Sequence, residues 1–475
     1  MTITRPLILA IALGLIPGLA LAFASGSTGV DGAFNPAAST TLPLPPTGIF
    51  NFTTVNIPAG VTLTFTRNAG NTPVVILASG DVTIAGIINV SGNSAPASGA
   101  AGDGNLADDG LPGKGGPGGY DGGNGAPARE QRAGNGLGPG AGGGGKSFFI
   151  PGNGWYVVGG GGAGFAEAGT DANYAPTYHP GVAGGTYGSS PLLPLIGGSG
   201  GGGGGGGENF AGSGGGGGGG AILIAASGTV NLTGTVYAYG GDAGASSGAG
   251  CGGVGGGGSG GAIRIVATTL TGEGGIGAQA GNASATCGYA PGPGGAGRIR
   301  LEADFFKRTT GTNPVYTVAP PGSLFITGLP SLTITSIAGV SVTPATSVML
   351  PTGTANPVTV TLATTGVPIG NTITLSVTPA NGNPITATST ALAGTSDNAT
   401  ASASISLPTG ASTLSASVSY TVTTALGDAW STFAQGERVK RVELSANAAG
   451  ESITTLITVS GKKYRLQAKD RARSG

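Results

Sequence analysis

Two stretches decide the fold: Ser79-Gly-Asp-Val-Thr-Ile-Ala-Gly-Ile-Ile-Asn-Val-Ser-Gly92 and Ser227-Gly-Thr-Val-Asn-Leu-Thr-Gly-Thr-Val-Tyr-Ala-Tyr-Gly240. Both fit S-G-x-V-x-[IL]-x-G-x-[IV]-x-[VA]-x-G without a gap. Apolar positions alternate with period two, so each copy reads as two short strands with one inward face. The central glycine, Gly86 or Gly234, lets the chain bend between them.

A second element precedes these copies. Gly220 to Ala226, Gly261 to Ala267 and Gly297 to Ala303 share the core G-x-I-x-[IL]-x-A, and Val74 to Ala78 holds the same place before the first copy. Asn51 to Thr66 reads as a further coil or a capping turn. One such coil cannot bury its apolar face alone, whereas stacked coils share a continuous core. The prediction is an all-β chain built on a parallel β-helix or solenoid. An N-terminal cap and the first coils occupy 23–92, and further coils occupy 220–329.

Between them, 93–219 is a glycine-rich insertion containing Gly200 to Gly207 and Gly214 to Gly220. Glycine tracts make flexible linkers, but they also pack side by side as polyproline-II-type helices hydrogen-bonded to neighbours. Both arrangements are open at this point. Phe148, Phe149, Trp155, Tyr156, Phe165 and Tyr174 are scattered through the insertion. From 330 to 460 the texture turns to Ser, Thr, Val and Ala. Alternating runs at 357–362, 372–377, 401–407 and 413–420, separated by Pro, Gly and Asn, predict an immunoglobulin-like sandwich without internal cysteines.

The ends carry addresses rather than fold. Arg5, an apolar run from Leu7 to Leu21 and Ala20-Leu21-Ala22 predict a signal peptide over 1–22. The expected location is secreted, extracellular or at the cell surface, with the periplasm as the alternative. No later stretch is apolar and long enough to span a bilayer, so none is expected after signal removal. At the other end, 461–475 reads as a basic tail. Glycine supplies 101 of 475 residues and charged residues only 8%, with a formal net charge of +0. Such a chain has few groups for acid–base chemistry, and low charge with 39% apolar residues argues for packing rather than solvated disorder. No enzyme activity, cofactor or nucleic-acid partner is expected.

Several motifs look chemical. Gly140 to Ser147 satisfies the P-loop expression, but glycines precede it and Phe148-Phe149-Ile150-Pro151 follows, so the required strand and helix are missing. Ser199 and Ser259 each sit in G-x-S-x-G, yet the only histidine, His179, precedes both, against the order such a triad needs. His179 reads as a surface residue beside Pro180. Leu44 to Gly48 matches a sortase signal at the wrong end and reads as a turn before the first strand. Asp103, Asp108, Asp109 and Asp121 offer oxygen ligands on turns, a weak calcium signal. Cys251 and Cys287, the only cysteines, lie in glycine-rich corners 36 residues apart and are expected to pair in an oxidising compartment.

The rival enzyme reading is a solenoid polysaccharide lyase or hydrolase, for which Arg264, Arg298, Arg300 and Glu302 are the available outward groups. A further alternative is an ice- or crystalline-glycan-binding protein, for which Thr62, Thr64 and Thr66 form one row.

The repeat residues resemble the passenger regions of bacterial β-helix surface proteins of the filamentous-haemagglutinin-like adhesin kind. The glycine tracts are similar to polyglycine-rich adhesin tips and antifreeze proteins, and 357–420 looks like a bacterial immunoglobulin-like domain. These resemblances imply a structural or adhesive role. The expected partners are surface glycans or other extracellular matrix components, with self-assembly as a further mode.

Overall fold

The computed structural model describes residues 22–100, 103, 105–172, 180–246, 251–284, 290–325, 330–342, 348–379, 383–410, 412–422, 432–433, 437–447 and 451–469. Among them every regular element is a β-strand. The chain makes successive passes through two parallel sheets. The first pass is β1 (Ala33–Phe34) and β2 (Thr40–Pro43), the second β3 (Ile49–Phe52), β4 (Thr54–Ile57) and β5 (Thr62–Thr66). The third is β6 (Val74–Ala78), β7 (Val82–Ile84) and β8 (Ile87–Asn89). The insertion follows, with a hairpin of β9 (Phe148–Ile150) and β10 (Gly154–Tyr156). The passes then resume as β11 (Ala221–Leu232) and β12 (Thr235–Tyr237), β13 (Ala262–Thr271) and β14 (Gly275–Gly277), and β15 (Arg298–Phe306) with β16 (Thr317–Ala319).

One sheet runs β1-β4-β7-β11-β13-β15-β16, with β3 and β6 joining it through β11, and the other runs β14-β12-β8-β5-β2. The gapless alignment of the two sequence copies is also their spatial register. Val82 pairs with Val230 and Ile87 with Thr235, so the stack closes over the insertion as if it were absent. The glycine-led element behaves the same way: Ile222 pairs with Val74 and Ile263, and Ile263 with Ile299. Period-two alternation sends these side chains inward. Ile76, Ile84, Ile88, Ile224, Val236, Ile265 and Leu301 share one buried cluster. Each fully buried aliphatic side chain contributes about 1.5–3 kcal/mol, so the stacked rows are the main stabilising force here.

Both ends of this stack are closed. At the N-terminal end Phe34, Phe50, Phe52 and Phe65 stack, with centroids 5.1 to 6.1 Å apart. At the other, buried Arg308 donates to the carbonyls of Gly272, Gly274 and Thr310, while Glu273 accepts from the Thr309 and Thr310 N–H groups. The Glu273 carboxyl is lowered to about 2, first by the Thr310 side chain and then by these N–H groups.

The insertion's glycine tracts are buried, and their order rests mainly on backbone hydrogen bonds. The 197–207 tract is surrounded by six segments. Gly198, Gly201 and Gly204 donate to Gly219, Gly216 and Ser213; Gly202 and Gly205 donate to Gly161 and Val158; Gly200 and Gly203 donate to Leu137 and Gly134. In return Gly201 and Gly204 accept from Gly123 and Ala126, Gly200 and Gly203 from Gly142 and Gly145, and Gly202 and Gly205 from Gly256 and Gly253. Each neighbour recurs every third residue, the repeat of an extended threefold helix. Most positions of this lattice leave no room for a side chain. A Cβ on Gly200 would lie 2.0 Å from the Asp121 carbonyl oxygen, and one on Gly203 2.0 Å from that of Asn124. Along these tracts the insertion is a packed bundle, not a flexible linker.

Beyond residue 330 the strands are antiparallel. One sheet contains Ser331–Ile337, Val340–Ser341, Val358–Thr365, Ala393–Thr395 and Asn398–Ile405. A second contains Thr374–Pro379, Ile385–Thr388, Ser412–Val422, Glu437–Asn447, Glu451–Thr458 and Lys463–Lys469, with Thr432–Phe433 at its margin. Val360, Leu362, Leu375, Val377, Ala401 and Val418 form their shared core. The pairing continues to Lys469, so much of the expected basic tail is a strand. Val442, Leu444 and Leu456 pack with Phe165, Tyr187, Leu192 and Ile196, seating the second sheet against the base of the glycine bundle.

Candidate functional site: the aromatic end of the glycine bundle

The bundle has two unlike ends. At its base the tracts run directly into β11, β13 and β15 after Gly220, Gly261 and Gly297. Its far end is made of loops. Gly207 donates to Phe210 to close one turn, Ala211 donates to Gly99, and Ala128 and Ser147 lie against Gly206 and Gly205. About ten residues separate base from end along the central tract, roughly 31 Å at the rise of this helix.

The β9–β10 hairpin projects from that far end. Asn153 N–H donates to the Ile150 carbonyl, and Gly152 and Gly154 hold φ of 89° and 92°, a turn that side chains disfavour. Register pairs Phe148 with Tyr156 and Phe149 with Trp155. Successive residues point to opposite faces, so each face carries one aromatic pair. Phe148 and Tyr156 stack at 5.5 Å, and Phe149 and Trp155 tilt against each other at 5.6 Å. Such pairs contribute about 0.5–1.5 kcal/mol beyond area burial, enough to stiffen a two-stranded element. The Arg129 guanidinium lies 5.2 Å over the Trp155 ring and 3.0 Å from Glu208. Phe149 is 54% exposed, and Leu106 on a neighbouring loop is 75% exposed. The end therefore offers open aromatic surface beside a self-neutralised ion pair.

The aromatic residues flagged in the sequence separate in space. Four of them form this hairpin, Phe165 is buried against Tyr187 at the base at 4.6 Å, and Tyr174 lies outside the described residues. Arg129 and Glu208 were not legible as partners, because nothing in a glycine tract indicates which loops meet at its end.

The chemical motifs resolve differently. Every N–H from Gly140 to Gly145 is already donated within the protein, to Ser199 Oγ, Gly138, Gly200, Val182, Asn135 Oδ1 and Gly203. No phosphate cradle is left. Ser199 and Ser259 meet near the base of the bundle, both fully buried, where Ser199 N–H donates to Ser259 Oγ and Ser199 Oγ to the Tyr187 hydroxyl. Burial pushes that phenol well above its ordinary value. Leu44 to Gly48 is a turn between β2 and β3, closed by the Gly48 N–H on Pro45, rather than one before the first strand.

Asp121 is taken by Arg67 at 2.8 Å, Lys114 at 3.1 Å and the Gly115 N–H. Burial raises its pKa, but these partners outweigh burial and hold it below the usual range. Among the described residues no three acidic, His or Cys groups gather as a metal site, so Asp103, Asp108, Asp109 and Asp121 are not brought together. Cys251 is half-buried and is not a free thiol; its expected partner Cys287, like His179, lies outside the described residues.

The solenoid-enzyme candidates are brought together. Arg264 and Arg300 are neighbours in register on β13 and β15. Glu302 accepts two bonds from Arg264, one from Arg300 and one from the Gly322 N–H. Arg264 and Glu302 are each 2% exposed, covered by the segment around Gly322 and Ser323. Burial pushes Glu302 up, yet Arg264 first, then Gly322 and Arg300, bring its carboxyl below the ordinary value. Its lone pairs are spent on these donors. Arg298 stands apart, 5.6 Å over the Phe165 ring. Asp304, which the sequence reading passed over, accepts from the Phe23 N–H at 3.3 Å.

Comparison with known proteins leaves the geometry to speak alone: no protein family, no curated protein and no solved structure matches the chain.

Proposed function

We propose that this chain is a non-enzymatic secreted surface or extracellular-matrix protein whose glycine bundle holds an adhesive aromatic end clear of its body. In this reading the parallel sheets form a β-solenoid, the insertion is a polyglycine-II bundle, and the C-terminal sheets form an immunoglobulin-like sandwich. Cys251 and Cys287 staple neighbouring turns after export. The observation that carries the reading is the six-neighbour hydrogen-bonding of the 197–207 tract, whose far end carries the exposed Phe149 beside half-buried Trp155. A chain that devotes its interior to a stiff, side-chain-free lattice is spacing something, and aromatic rings beside a neutral ion pair suit surface glycans or matrix polymers.

Two measurements test it. Proteinase K shaving of intact producing cells should remove the cell-bound protein while a periplasmic marker survives; full protection would place the chain in the periplasm and defeat the surface role. Binding of the full chain to intact cells should fall about tenfold or more, roughly 1.4 kcal/mol, in a Phe149→Ala/Trp155→Ala variant with an unchanged circular dichroism spectrum. Full retention of binding would move the adhesive site elsewhere.

A further inference from the structure

The second parallel sheet, β14-β12-β8-β5-β2, has an inward face of Leu63, Ile88, Val236 and Ile276, all buried. Alternation turns the residues between them outward. Register aligns Thr62, Ile87, Thr235 and Gly275 in one row, and Asn89, Tyr237 and Gly277 in the next. Thr41 pairs with Thr64 and Pro43 with Thr66 at the near edge, where the Thr41 and Thr64 hydroxyls share a 2.6 Å hydrogen bond. None of these outward positions is charged. Tyr237 and Tyr239 stack at 4.7 Å, and the Tyr239 ring rests on Gly277, where a Cβ would come within 2.5 Å of it. Gly277 of β14 is thus a seat for the Tyr239 ring. Five strands at about 4.8 Å spacing make this face roughly 19 Å wide.

We infer that this face is a second binding surface, one that takes a neutral, extended β-linked polysaccharide. Hydroxyl and amide groups in rows, with a tyrosine pair to one side, match a polymer that offers hydroxyls on its edges and C–H groups on its ring faces. A polyanion would find no cation to pair with and release no counterions here. A protein partner would find no cluster of deep apolar anchors of the kind that dominates protein interfaces. The inference shares with the proposed function the premise that the chain meets extracellular polymers, but it does not depend on the aromatic end.

The test is co-sedimentation of the full chain with microcrystalline cellulose, at about 0.1 M and about 1 M salt, bracketing strong screening. Three proteins are compared: the unaltered chain, Thr64→Asp/Asn89→Asp on the sheet face, and Phe149→Ala/Trp155→Ala on the bundle end. The unaltered chain should pellet equally at both salt levels. The face variant, whose half-exposed positions accept a carboxylate without entering the core, should lose binding about tenfold with an unchanged melting temperature. The bundle-end variant should pellet like the unaltered chain. Failure of the unaltered chain to pellet, collapse of binding in salt, or loss confined to the bundle-end variant each overturns the assignment. So does thermal hysteresis in ice that the face variant abolishes without any cellulose binding.

Discussion

The parallel sheets and the glycine bundle both stack one chain upon itself through backbone hydrogen bonds, yet they are specified in opposite ways. In the sheets, side chains choose the register. Ile222 lies beside Val74 and Ile263 because each sends an aliphatic group into the same row. In the glycine tracts there are almost no side chains to choose with, and order comes chiefly from backbone N–H groups paired with carbonyls of neighbouring segments at van der Waals distance. Gly201 donates to Gly216 and accepts from Gly123, with the Gly256 carbonyl oxygen 2.1 Å from where its Cβ would be. The lesson is that a core can be held by volume or by its exclusion, and the two should break differently.

The largest expected effect tests that contrast. Gly201→Val pushes a branched side chain into the Gly256 carbonyl, and backbone neighbours on every side leave it nowhere to turn. Overpacking of this kind lies beyond the usual 1–3 kcal/mol range, so the bundle should not form. Limited proteolysis should cut within 93–219 while the parallel-sheet stack stays protected. A variant that resisted proteolysis like the unaltered chain would show the lattice to be loose.

Next come two substitutions in the parallel sheets. Glu302→Ala leaves buried Arg264 without its carboxylate, and breaking such a pair typically costs about 3–5 kcal/mol. Ile224→Ala removes volume from the shared row, at about 2–5 kcal/mol. Both should lower the chemical-denaturation midpoint, but only the first should change how stability depends on pH. Glu302 is depressed in the folded state, so its contribution is present above the unfolded carboxylate range near 4.3 and is lost as pH falls through the folded value. The gap between Glu302→Ala and the unaltered chain should therefore close in acid, while the Ile224→Ala gap stays constant.

What the sequence disclosed follows the same division. The repeats carry apolar alternation, so the strands and their inward faces are legible in the sequence, and the gapless alignment of the two copies proves to be the register that pairs Val82 with Val230. The four Ser/Thr/Val/Ala runs likewise fall on antiparallel strands. Within the glycine tracts every residue is equivalent to the next, and no pattern says that Gly203 meets Gly134 and Gly145 rather than other glycines. The assembly of the aromatic end, and of Arg129 over Trp155, inherits that ambiguity. Arg264 and Arg300 were readable as neighbours, but not as buried, because the segment that covers them arrives from beyond β16 and contacts them through Gly322 and Ser323 backbone groups. A pattern of side chains cannot announce a lid made of backbone.

The smallest effect sits where the parallel stack ends. Glu273 is exposed, yet it accepts from the N–H groups of Thr309 and Thr310 and from the Thr309 hydroxyl, and its carboxyl is lowered to about 2 by the Thr310 side chain and these donors. It lies in the turn between β13 and β14 and ties the following pass of chain to it, satisfying donors just beyond β15. Glu273→Gln keeps the shape and an acceptor oxygen but removes the charge. The variant should melt slightly below the unaltered chain at neutral pH. Because the folded carboxyl lies below its unfolded value, that difference should persist above the unfolded range near 4.3 and shrink as pH falls toward 2. Hydrogen exchange at Thr309 and Thr310 should quicken in the variant while exchange in β13 is unchanged, since the row beneath is held by buried Ile263 and Ile265 rather than by its cap. Faster exchange throughout β13 would mean that the passes are not independently stabilised, and that even the side-chain-specified half of the molecule depends on saturated backbone at its margin.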